Sequence, residues 1–156
     1  MKRKYIVTIL LALCSLASAY AQSMEDFFTR YSDQDGVSSI YISKAMLGLM
    51  PNMKSQGVDI GGAAAKLDHI RILNCDRKAL IPRMRKDLAD IGPKNGYEEL
   101  MRTKEDGEVT AMYLKELKNG KKEFVLINIK SDEVSVITIT GSLTMEEIQK
   151  ITHKQK

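Results

Sequence analysis

Apolar positions recur along this chain with two periods. Met24, Phe27, Phe28 and Tyr31 fall at i, i+3, i+4 and i+7, one stripe of a helix that Ser23 can cap. Asp35-Gly36 marks a turn, and the β-branched and aromatic run Val37 to Ile42 predicts a strand. Ser43 then caps a short helix carrying Met46, Leu49 and Met50, which Pro51 stops. Asn52 to Gly62, rich in glycine and polar residues, reads as a loop. Leu67 to Leu73 reads as a second strand. Leu80, Met84, Leu88 and Ile91 return to helical spacing over 79–91, with Pro82 admissible only in the first turn.

The last third is marked by its turns. Tyr97 to Lys104 and Val109 to Leu117 flank Asp106-Gly107, a two-residue hairpin signal. Asn119-Gly120 separates the second of these from Glu123 to Ile129, and the polar 130–133 precedes Val134 to Thr140. Phe124, Val125, Leu126 and Ile127 are apolar on successive positions, as central strands are. Thr144-x-x-Glu147 is a capping box, and Met145, Ile148 and Ile151 give the final helix an apolar side.

These elements predict an α+β two-layer sandwich. Its sheet is mixed and mostly antiparallel, of about six strands, ending in a four-strand meander, with the helices packed on one face. The strand–helix–strand unit from Leu67 to Lys104 admits one parallel pair joined by a right-handed crossover.

The segment ahead of this domain has another character. Lys2, Arg3 and Lys4 precede an apolar run from Ile6 to Leu16, and Ala19-Tyr20-Ala21 is a small-x-small cleavage pattern. That is the pattern of a secretory signal peptide over residues 1–21, too short for a membrane span. Residues 22–156 are then a single domain in the periplasm or at the cell surface, with no transmembrane span. Leu13 before Cys14 departs from a lipid-attachment signal, so no lipid anchor is expected. Three of the four net positive charges lie in the leader. The remainder is near neutral and gives no reason to expect nucleic acid as a partner.

Chemistry is sparse. Cys75 is the sole cysteine after the leader, so it forms no internal disulfide and stands as a candidate reactive thiol. His69, beside Asp68, precedes it by six residues; a nucleophile–base pair would require the strand to fold back. Asp33-Gln34-Asp35-Gly36 matches a fragment of a calcium loop, but Tyr31 and Ile42 occupy the opening and closing ligand positions. No nucleophile elbow, phosphate loop or zinc spacing is present, so no metal, cofactor or catalytic residue is assigned. The candidate binding residues are Asp33, Asp35, Tyr41 and Lys44, around the first turn and strand.

The stretch from Phe28-Thr29-Arg30-Tyr31 through Asp35-Gly36-Val37 to Ser43-Lys44-Ala45-Met46 carries a resemblance. So do Ile70-Arg71-Ile72-Leu73-Asn74-Cys75 and Gly96-Tyr97-Glu98-Glu99-Leu100-Met101. The chain resembles a family of short, secreted proteins from Bacteroidetes known only as a domain of unknown function. The resemblance implies export to the envelope of a Gram-negative bacterium and supplies no catalytic residues. The expected function is that of a non-enzymatic module binding an envelope protein or glycan. A small extracytoplasmic enzyme using Cys75 with His69 or Asp68 is a second possibility, and a self-assembling envelope subunit a third.

Overall fold

The computed structural model describes residues 23–49 and 64–148, and the backbone of 54–55 and 58–59. The leader, Met50 and Pro51, and the C-terminal Ile151 lie outside the described residues. In chain order the elements are α1 (Met24–Tyr31), β1 (Val37–Ser43), α2 (Lys44–Leu49), β2 (Lys54–Ser55), β3 (Val58–Asp59) and β4 (Leu67–Cys75). There follow α3 (Ile81–Ala89), β5 (Tyr97–Glu105), β6 (Glu108–Glu116), β7 (Lys122–Ile129) and β8 (Val134–Gly141). A final helix, α4, is described over 145–148.

Local chemistry accounts for most of these boundaries. Ser23 caps α1, its Oγ accepting from the Asp26 N–H at 3.1 Å while Asp26 accepts from the Ser23 N–H. All four residues of the apolar stripe are buried. Asp106 (φ 49°) and Gly107 (φ 83°) both take the left-handed backbone that a tight hairpin turn requires. Pro82 is the second residue of α3, where its missing N–H costs nothing. Within the segment read as a loop, β2 and β3 instead pair antiparallel, Lys54 with Asp59 and Ser55 with Val58.

The large sheet has six strands in the order β1-β4-β8-β7-β6-β5, and every neighbouring pair is antiparallel. The α+β sandwich and the four-strand meander stand as expected. The parallel pair does not form. Short turns bind β5 to β8 to one another in sequence, which leaves the free side of β8 for β4 and carries β5 to the opposite edge.

Successive strand residues point to opposite faces. On the first face, Leu73, Val125, Ile127, Val134 and Val136 form one core with Phe27 and Tyr31 of α1 and Met84 and Leu88 of α3. On the second face, Ile70, Ile139, Phe124 and Leu114 cluster with Leu47 of α2, Leu143, and Ile148 of α4. The final helix therefore does not share a face with α1 and α3. The crossing is made at Gly141, where an added Cβ would lie 2.4 Å from the Lys66 carbonyl oxygen. The Ser142 N–H then donates to that same carbonyl at 2.9 Å, turning the chain over the end of β4.

Strand register arranges the second face in rows. Ile42, Ile70, Ile139, Phe124 and Leu114 make one; Ile40, Ile72, Ile137, Leu126, Met112 and Met101 make the next. A third row is polar and uncharged, running Ser38, Asn74, Ser135, Asn128, Thr110 and Thr103.

Candidate functional site

Helix α1 and the edge strand β1 bound an open groove of about 350 Å³. Its position follows from the α1–β1 turn. Gly36 adopts φ 76°, and its missing side chain leaves room for Arg77, whose Cβ would lie 3.0 Å from an added methyl. Arg77 Nη1 donates to the Asp35 carbonyl at 3.1 Å, fastening the turn to the loop after β4. Ser39 Oγ donates to Ser32 Oγ at 3.2 Å, linking β1 to the C-terminal end of α1 along the groove that both line.

The floor is Arg71. Its guanidinium carbon stands 5.6 Å from the Phe28 ring centre and 5.5 Å from that of Tyr41, and Nη1 pairs with Glu25 Oε2 at 2.6 Å. A planar cation between two aromatic rings loses little freedom when it is engaged, and lysine cannot reproduce the geometry. Tyr41 is 60% exposed and is the most open aromatic wall of the groove. Its far edge tilts against His69, ring centres 5.7 Å apart. Burial, followed by the nearby Arg71 charge, holds His69 below the ordinary histidine pKa and favours the neutral imidazole.

Beneath this end of α1 the first face is polar. Register sets His69, Thr140, Glu123, Lys115 and Tyr97 in one row across five strands. The Tyr97 hydroxyl donates to Glu123 Oε2 at 2.7 Å and accepts from the Met24 N–H at 3.1 Å. Burial pushes the Glu123 carboxyl up against the opposing pull of that hydrogen bond and of Lys115 and Arg71. Burial likewise raises Tyr97, reinforced by the Glu123 charge. Thr140 Oγ1, between His69 and Glu123, is buried without a hydrogen-bond partner among the described residues.

Of the residues singled out from sequence, Asp33 and Tyr41 both line this groove. Asp35 and Lys44 do not; they stand beyond opposite ends of β1. Lys44 lies 3.5 Å from Asp68, which Lys121 holds more closely at 2.7 Å. Those contacts, the hydrogen bond to Lys121 foremost, keep the Asp68 carboxyl below the usual range. Cys75 is buried beside Leu73 and Val134, its Sγ 4.0 Å from the Arg77 carbonyl. Between His69 and Cys75, β4 runs unbroken, so six residues of extended chain, about 20 Å, separate them. Among the described residues no three acidic, histidine or cysteine side chains converge as metal ligands, and no helix is long and apolar enough to cross a membrane.

Arg71, Phe28 and Glu25 were not apparent as site residues from sequence. Their one signal was a charge set in an apolar strand, Ile70-Arg71-Ile72. Only the β1–β4 register, which places Tyr41 opposite Arg71, discloses its meaning.

An open six-stranded antiparallel sheet with helices packed on it defines the class: an α+β sandwich. The chain belongs to the family described as domain of unknown function DUF4252, whose sequence model matches residues 31–151. That match takes in β1, Arg71 and the rest of the sheet, leaving most of α1 outside it. Compared with curated proteins and with solved structures, the chain shows no significant match.

Proposed function

We propose that this protein is an exported cell-envelope module that binds a protein partner at the groove between α1 and β1, without a catalytic step. The leader pattern of residues 1–21 supports the address. One observation carries the binding: the Arg71 guanidinium is fixed between Phe28 and Tyr41 in a groove that Asp33 also lines. Rigid aromatic and arginine side chains presented together are the usual anchors of protein recognition. Here they flank an exposed strand edge along which a partner's backbone can lie.

Site-specific photo-crosslinking tests this. A benzoylphenylalanine placed at position 41 of the 22–156 protein, exposed to a solubilised envelope fraction, is expected to capture a discrete partner. The same group at position 105, on β5, is the control and is expected to capture none. Absence of an adduct at position 41, or equal labelling at both positions, overturns the proposal. A glycan in the adduct would replace the protein partner with a carbohydrate one.

A further inference from the structure

The two edges of the large sheet are not alike. The outer strand β5 carries Glu98, Glu99, Arg102, Lys104 and Glu105, and its register slips at a bulge between Glu99 and Met101. Charges and bulges of this kind are what keep a sheet edge from pairing with another chain. At the opposite edge, β1 reads Val-Ser-Ser-Ile-Tyr-Ile-Ser, with no charge, no proline and an unbroken register against β4. Ile40 is 43% exposed and Tyr41 60%. No described strand pairs with the far side of β1.

We propose that β1 pairs antiparallel with β1 of a second copy of this chain, about a two-fold axis at Ile40. The inference rests on the reading that the β1 rim is an interface, and it names the occupant. Ile40 is the middle residue of the seven, so symmetric pairing of the whole strand puts it on the axis. Ile40 then meets Ile40 and extends its apolar row of the second face across the axis, while Ser38 lies opposite Ile42, Ser39 opposite Tyr41 and Val37 opposite Ser43. The next position sets Gly36 opposite Lys44.

The ends of the strand supply the charge match. Asp33 and Asp35 precede β1 and Lys44 follows it, so antiparallel pairing brings the acidic end of each copy to the basic end of the other. Among the described residues neither Asp33 nor Asp35 has an ion-pair partner for its carboxylate. Lys44 is 68% exposed and only loosely paired with Asp68. A parallel arrangement, or pairing through β5, would not bring these ends together.

Sedimentation of the 22–156 protein over a wide concentration range tests the pairing. A reversible dimer is expected. Ile40→Lys sets like charges at the axis and is expected to leave a folded monomer, with folding checked by circular dichroism. Asp35→Lys and Lys44→Glu are each expected to weaken the dimer roughly five- to tenfold, since each contact occurs twice. The double exchange restores it, a result that simple unfolding cannot give. A wild-type monomer at every concentration overturns self-pairing, as does a dimer that Ile40→Lys leaves intact. If that monomer still yields a position-41 adduct with another molecule, the binding groove stands; without one, both readings fall.

Discussion

The first face of the sheet is closed by α1 and α3, whose Phe27, Tyr31, Met84 and Leu88 lie over Leu73, Val125, Ile127, Val134 and Val136. The second face is as apolar in composition, yet its cover among the described residues comes from Leu47, Leu143 and Ile148. The row from Ile40 to Met101 keeps partly open side chains, including Ile137, Leu126 and Met112. Similar strand residues thus do two jobs. Under two amphipathic helices they hold the domain together; on the second face, among the described residues, they leave a partly open apolar band running out to edge strand β1.

The largest test of that contrast is a pair of truncations. Phe27→Ala, at a site with no exposure, should lower the unfolding free energy by about 3–5 kcal/mol. Ile137→Ala, on the partly open row, should lower it by about 1 kcal/mol. Chemical denaturation reads both, and equal losses would mean that the two faces are equally closed.

Polar positions on the first face sharpen the same comparison. Thr140→Val removes a buried hydroxyl that lacks a partner among the described residues and should raise stability by about 1 kcal/mol. A drop of that size would show that the hydroxyl is satisfied.

Glu123 gives a smaller effect with a definite sign. Its folded pKa lies above the usual 4.5, so in the pH window between the two values the folded protein holds a proton that the unfolded chain has released. Stability from this group therefore falls as pH rises from about 4.5 through the folded pKa, then levels. Glu123→Gln should melt above the wild type at pH 7, with the difference vanishing below about pH 4. A gap that widens towards acid would reverse the assignment.

Local signals were readable and distant ones were not. Asp106-Gly107 and Asn119-Gly120 set the hairpins because left-handed turn residues are a local requirement. The doubly apolar Phe124 to Ile127 announced a strand covered on both sides. The pairing of β4 with β8 had no local sign, since Ile70 and Ile72 fit any apolar neighbour. The side taken by α4 depended on one backbone crossing at Gly141. The candidate site divided the same way: Tyr41 and Asp33 could be named from their segment, while Arg71 needed the register that puts it across from Tyr41.

The strand order also sets a schedule for synthesis. Leu67 pairs with Gly141 and Cys75 with Val134, so β4 has only β1 beside it until β8 has emerged. Through the making of α3 and most of the meander, the isoleucines of β1 and β4 have no sheet to join. Contacts this distant along the chain form slowly and leave apolar strands open meanwhile. The nascent N-terminal half is thus the part of this protein with most to gain from a chaperone, and arrival of β8 is the event that ends the need.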